Sequence, residues 1–281
     1  MLGAIIGDVA GSYYEVLEIN NIKSGRSYED RIKVMDKSVE LFDDNSSVTD
    51  DSILTMAIYD AVINGKDYEE TIKEYALREL ELGLDMYGRS RFSPGFVKWV
   101  NGDFQGNSYG TGAAMRVSPI GFLYDDIDEI KKEVYKASTP SHNDAEAIKG
   151  AEAVAVSIFL LRNGMNKNDL LKYIEKNYYD LSFDLEELRH NYRFYNNTRF
   201  NVPQALFVFL NSDSFEDSIR KAISIGGDSD TIASMVGALS EAYYGVDERM
   251  INKVKPYLKD YMFDLLKDRY YNRSVFVLDG R

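Results

Sequence analysis

The sequence predicts an all-α fold, with residues 1–281 forming a single compact domain. Three observations predict it. Apolar residues recur at helical spacing through most of the chain. Alternating polar and apolar runs, the mark of half-buried strands, are sparse. Five prolines and no low-complexity linker leave no clear place to divide the chain.

The elements follow in order. The opening MLGAIIGDVAGSYYE places Gly3, Gly7 and Gly11 four residues apart, a spacing suited to close helix packing. Residues 20–48 read as a polar loop. Residues 52–64, SILTMAIYDAVIN, follow the capping candidates Thr49, Asp50 and Asp51 and read as a helix. Residues 68–82 carry charged and apolar positions at helical spacing. Residues 88–112 and 138–143 read as Gly-rich or polar loops. Residues 144–162 are rich in alanine and predict a buried helix. Residues 168–176 and 214–223 predict shorter amphipathic helices. Between them lies an irregular, Tyr-rich stretch, 188–202. Pro203 then marks a helix start for residues 203–211. Residues 230–244, with Gly237 and Ala238, predict another tightly packed core helix. Residues 247–268 hold one or two more, and RSVFVLDGR at 273–281 has the pattern of a short strand.

Composition narrows the function. The 281 residues carry a formal net charge of −13, which speaks against a nucleic-acid-binding face. There is no cysteine, so disulfides, thiolate metal sites and cysteine nucleophiles are excluded. Two histidines are too few for a multi-His zinc site. A metal here would need oxygen ligands, which favours magnesium, manganese or calcium. No apolar run reaches the length of a membrane span. The N-terminal stretch lacks a basic leader and does not read as a signal peptide. A cytoplasmic, monomeric protein is the expectation.

The acidic residues are not spread evenly. SVTDDSILTMAI places Thr49, Asp50 and Asp51 at the start of an apolar helix, and GGDSDTIASM does the same with Asp228, Asp230 and Thr231. One side-chain oxygen suffices for an N-cap, so each cluster has more oxygen ligands than capping requires. Neither has a basic neighbour in sequence. Four carboxylates brought together need a counter-ion, and divalent cations supply one. Asp8 reads as a turn or cap residue. Glu15 reads either as a surface glutamate or as a carboxylate delivered to the same cleft. GNSYGTGAAMRVSPIG, 106–121, has glycines that permit close backbone approach before a helix, as in a phosphate-cradling loop. Arg116 in it is expected to pair with a buried carboxylate rather than a phosphate. His142, in TPSHNDAEA, lies in a loop before a helix, where ligand contact stays open.

Together these residues resemble the ADP-ribosylglycohydrolases, the dinitrogenase-reductase-activating glycohydrolase family. The likeness runs through GAIIGDVAGSYYE, TDDSILTMA, SYGTGAAMRVSPIG, SHNDAEAIKGAEAVA and ISIGGDSDTIASMVGALSEAYYG. It implies an orthogonal helical bundle with two Mg²⁺ or Mn²⁺ ions in a cleft. It implies Thr49, Asp50 and Asp51 as one metal-ligand set and Asp228, Asp230 and Thr231 as the other. Glu15 matches the family's catalytic glutamate. Ser108, Tyr109, Gly110 and Gly112 match the loop that holds the diphosphate and distal ribose. His142 matches a ligand-contacting histidine, and Phe104 an aromatic that stacks on adenine. Thr111 and Ala145 depart from the family's usual Asn and Pro, and neither removes a metal ligand.

The activity so implied is hydrolysis at the anomeric carbon of the distal ribose, in ADP-ribosylated protein side chains or in a conjugate such as O-acetyl-ADP-ribose. SYG and GGDSDT resemble the subgroup acting on serine-linked ADP-ribose, while arginine-specific relatives share the metal motifs. The competing class is a non-catalytic ADP-ribose-binding module. Asp-rich isoprenoid synthases need acidic residues one helical turn apart, and Leu54 and Thr55 occupy those positions after Asp50 and Asp51.

Overall fold

The computed structural model describes residues 1–20 and 25–270. Its helices run in chain order as α1 (Leu2–Asn20), α2 (Tyr28–Ile32), α3 (Asp50–Asn64), α4 (Tyr68–Glu81), α5 (Pro94–Val100), α6 (Gly112–Arg116), α7 (Ser118–Leu123), α8 (Ile127–Ser138), α9 (Ala145–Arg162), α10 (Lys167–Asn177), α11 (Leu185–Asn191), α12 (Thr198–Leu210), α13 (Phe215–Ile225), α14 (Ser229–Tyr244), α15 (Glu248–Val254) and α16 (Asp260–Tyr270). Among the described residues there is no sheet, only one isolated antiparallel bridge between Asn107 and His142. No described helix is long and apolar enough to cross a membrane.

Local chemistry sets most helix starts. Asp67, Asp126, Asp144, Asp184 and Ser214 each accept a backbone N–H of the first turn through a side-chain oxygen. The ends of α9 and α14 fall within a residue or so of the sequence expectation. The stretches read as loops differ more. Residues 20–48 contain α2, residues 88–112 contain α5, and residues 188–202 contain the end of α11 and the start of α12. These helices are short or start with an ordinary polar residue, so hydrophobic periodicity carries little signal for them. The region 112–138, given no helix from sequence, holds α6, α7 and α8. Pro203 does not open its helix. Asn197 caps α12 instead, accepting from the Arg199 N–H at 2.9 Å, and Pro203 lies inside. The strand expected at 273–281 lies outside the described residues.

One contiguous apolar cluster runs through the helices. α14 is buried from Ser229 to Glu241 and forms its axis. α1 lies antiparallel against it at very short range. A Cβ at Gly3 would come 2.2 Å from the Gly237 carbonyl oxygen, one at Gly7 1.9 Å from that of Ala233, and one at Gly11 2.5 Å from that of Ser229. The glycine stripe is therefore a packing device, and it has a consequence for the site. It brings the middle of α1, with Asp8 and Glu15, against the start of α14, with Asp228 and Asp230.

Candidate metal centre and ligand cleft

Asp8 is not a turn or cap residue. It is fully buried in the middle of α1, and its carboxylate receives the start of α3. Thr49 donates to Asp8 through its backbone N–H at 3.0 Å and its hydroxyl at 2.6 Å. Ser52 donates through its N–H at 3.1 Å and through its hydroxyl. Thr49 also caps α3 by accepting from the Asp51 N–H. The TDD segment is thus fixed to α1 before any ligand is considered.

The GGDSDT segment does not serve as an over-supplied cap. Asp228 sits at the N-cap of α14 but makes no side-chain capping bond. Its carboxylate accepts instead from the Asn201 amide at 2.9 Å, and Asp230 accepts from the Thr231 N–H at 2.8 Å. Thr231 then donates to Asp51 across the gap at 3.2 Å. Gly226 and Gly227 have φ of 77° and 72°, a region that favours glycine, and lead the chain into this start.

The outcome is two groups of three carboxylates. Asp8, Asp51 and Asp230 each bring an oxygen within 4.8 Å of the others, and so do Glu15, Asp228 and Asp230. Asp230 belongs to both. Asp50 lines the adjoining cleft but joins neither group. Burial, and then the charge of Asp230, push the Asp8 carboxyl up to about 7 and that of Asp50 up to about 8. The same two causes raise Glu15 and Asp51 well above the ordinary range, as they do Asp228. Among the described residues, only Glu15 of these acids has a basic side chain at ion-pair distance, Arg89 at 3.9 Å. Asp51 Oδ1 is buried with no hydrogen-bond partner. An all-oxygen donor set, like charges packed together and an orphaned carboxylate oxygen all fit a hard divalent cation.

A cleft of about 660 Å³ opens over this cluster. Thr49, Asp50, Asp51, Asp228, Asp230, Thr231 and Glu15 line its floor. Ser108, Tyr109, Gly110, Gly112 and His142 line one wall, and Phe104 stands at the rim. Every site residue singled out from the sequence therefore faces one cavity. Phe104 and Tyr109 are exposed, at 57% and 62%, which leaves their rings free to cover a ligand. The glycine loop is held by its neighbour in the bridge. Asn143 donates to the Gly106 carbonyl at 2.7 Å and Ser108 to that of Ser141 at 3.2 Å. A Cβ at Gly106 would lie 1.8 Å from the Pro140 carbonyl oxygen, so this pairing requires glycine there.

Three residues of the site escaped the sequence reading. Asn201 binds Asp228, Thr111 and the Tyr195 carbonyl through its amide, and accepts from the Tyr192 hydroxyl at 2.5 Å. Thr111 is thereby tied into the support of Asp228. Arg89 reaches Glu15 from the loop after α4, where Asp85 holds its guanidinium at 3.2 Å. Asp8 carried a signal in hindsight, since a carboxylate inside an apolar Gly-rich helix must be paired or ligating. Asn201 and Arg89 carried none. Arg116 corrects another expectation. Among the described residues it has no carboxylate at ion-pair distance, and it donates to the Ala137 carbonyl at 3.2 Å and to Ser141 Oγ at 2.7 Å.

Comparison with known proteins gives a family and a fold. A family model described as ADP-ribosylglycohydrolase matches residues 1–274. The chain is 24% identical to the human (Homo sapiens) ADP-ribosylhydrolase ARH3 over 314 aligned positions, covering 88% of this chain and 85% of that one. It is 22% identical to the ADP-ribosylarginine hydrolase Tri1 of Pseudomonas putida, covering 88% and 70%. A solved ADP-ribosylglycohydrolase-related protein complex superposes with a TM-score of 0.63 at 17% identity, covering 89% of this chain and 90% of that one.

Proposed function

The chain belongs to the ADP-ribosylglycohydrolase family, and from that premise we propose that it is a metal-dependent hydrolase that releases ADP-ribose from ADP-ribosylated protein side chains or from a small conjugate such as O-acetyl-ADP-ribose. The observation that carries this reading is the pair of carboxylate groups sharing Asp230: Glu15, Asp51, Asp228 and Asp230 line one cleft, and the buried Asp8 lies beneath it. Thr49, Asp50 and Asp51 from one helix start, and Asp228, Asp230 and Thr231 from the other, would hold two Mg²⁺ or Mn²⁺ ions, with Asp8 anchoring the first set. Bound cations there would neutralise the acids and orient the ribose hydroxyls and a water.

The reaction breaks the bond between the anomeric carbon and the side-chain atom. Water oxygen takes its place on that carbon, and one water proton ends on the leaving atom. Glycosidic cleavage of this kind passes through an oxocarbenium-like state, which surrounding carboxylates stabilise. Glu15 is the proton-exchanging group in this account. Its carboxyl is pushed up by burial and by Asp230 and Asp228, which favours its protonated form and suits it to exchange a proton with the leaving atom or the water. Ser108, Tyr109, Gly110, Gly112 and His142 bind the diphosphate and distal ribose, and Phe104 covers the adenine. Both relatives named above act on ADP-ribosyl linkages by their names, one of them on arginine. The shared feature is the ADP-ribosyl group, so the cleft is read as recognising that group first and the linkage second.

The test is an assay of free ADP-ribose release with magnesium or manganese. Serine-linked, arginine-linked and O-acetyl ADP-ribose would be offered side by side, with Glu15→Ala as the control. Release from at least one substrate, lost in the control, supports the enzyme and identifies its linkage. Tight ADP-ribose binding with no release from any of them would make the protein a binding module instead.

A further inference from the structure

We propose that Ser141 and Arg116 form a relay that fixes His142 as the Nε2–H tautomer, so that its ring presents a hydrogen-bond donor to the ligand held on the glycine loop. The proposal rests on reading the cleft as an ADP-ribosyl site, and it adds two positioning residues to that site.

The geometry is a chain of three side chains. Arg116 is 1% exposed and has donors only. Its Nη2 lies 2.7 Å from Ser141 Oγ, so that oxygen accepts. Ser141 is 3% exposed, and its own hydroxyl hydrogen needs an acceptor. The one at hand is His142 Nδ1, 2.8 Å away. If Nδ1 carried the proton, the Ser141 hydroxyl hydrogen would be buried with nothing to accept it, an arrangement that costs free energy. With Nδ1 accepting, the neutral ring carries its proton on Nε2. The ring is neutral for two reasons that point the same way. Burial disfavours the imidazolium, and the Arg116 charge disfavours it further. Nε2 makes no hydrogen bond to the described residues and lies over Gly112, where an added Cβ would come within 2.7 Å of it. The ring lines the cleft. An N–H aimed there meets an oxygen-rich ligand with a donor, which a diphosphate or ribose oxygen can accept.

The composition makes this testable by ¹⁵N NMR of the full-length, ligand-free protein at neutral pH, because the chain has two histidines. His190 is an internal contrast. Its Nδ1 lies 2.8 Å from the Glu186 carbonyl, which can only accept, so its proton sits on Nδ1. His190→Gln assigns the signals. The expected result is opposite tautomers, with His142 protonated on Nε2. Ser141→Ala is then expected to shift His142 to a mixture. It should weaken ADP-ribose binding by about threefold to tenfold, the worth of one hydrogen bond, with unchanged circular dichroism. A wild-type His142 protonated on Nδ1 or on both nitrogens would overturn the relay, as would a Ser141→Ala protein with an unchanged tautomer. A changed tautomer with unchanged ADP-ribose affinity would overturn the donor role. A wild type with the expected tautomer but no ADP-ribose affinity would uphold the relay and sink the ADP-ribosyl reading of the cleft.

Discussion

The Thr231 hydroxyl donates to Asp51 Oδ2 at 3.2 Å, joining two helix starts that lie 180 residues apart in the chain. This bond closes the site. On one side, α3 is fixed to Asp8 of α1. On the other, α14 is fixed to α1 by the glycine stripe. The two clusters converge because both are built on α1, and Asp230 lies between them.

Asp230 belongs to both carboxylate groups, so its loss is expected to be felt at both metal positions. Asp230→Ala should abolish tight magnesium or manganese binding by calorimetry and remove measurable turnover. The fold should survive, since one of several repelling buried charges has gone. Two metal equivalents bound with wild-type affinity would contradict the shared role.

The stability of metal-free protein should fall as pH rises. Asp8 moves from its ordinary 3.8 up to about 7 in the folded state, and Asp50 up to about 8. Between these values the folded state holds protons that the unfolded state has released. Stability is therefore full below pH 4 for these groups and is lost progressively up to about pH 8. Each raised unit is worth about 1.4 kcal/mol for an isolated group, so even one of the two carboxyls makes the loss several kcal/mol. Thermal melts in chelator from pH 5 to pH 8 check the sign. Magnesium should restore the melting temperature most at the high end, because metal binding there displaces fewer protons.

Asn201 supports Asp228 at 2.9 Å from within α12 and does not itself line the cleft. Asn201→Ala should weaken metal affinity by about tenfold to a hundredfold, as loss of a supporting hydrogen bond does. Calorimetric titration of the variant with Mn²⁺ measures it. Unchanged affinity would show that Asp228 needs no such support.

Gly7→Val tests the packing that aligns α1 with α14. Its Cβ would lie 1.9 Å from the Ala233 carbonyl oxygen, a backbone atom that cannot swing away. Destabilisation of about 1–3 kcal/mol is expected from overpacking, read by denaturant unfolding. A wild-type midpoint would mean the helices can separate at no cost.

The sequence and the structure agree best where local chemistry decides. The long apolar helices α3, α9 and α14 were legible because periodicity, caps and small residues all point the same way. The oxygen-ligand clusters were legible because they exceed what a cap needs. Asp8 was misread because a carboxylate flanked by glycines has the same local pattern as a turn. Asn201 and Arg89 were illegible because their roles depend on which distant segment they meet. Pro203 misled because the cap at Asn197, six residues earlier, set the start instead. α6 and α7 were missed because five or six residues show too little of a helical period, whereas the twelve residues of α8 do place Ile130, Val134 and Ala137 on one buried face and could have been read as a helix.

The most direct measurement of the central claim is release of free ADP-ribose from a serine-ADP-ribosylated and an arginine-ADP-ribosylated peptide by the full chain. It would be followed with magnesium, with chelator, and with Asp230→Ala. The account predicts release from at least one peptide in magnesium and its loss under both other conditions. Release that survives chelation, or full turnover by Asp230→Ala, would contradict it.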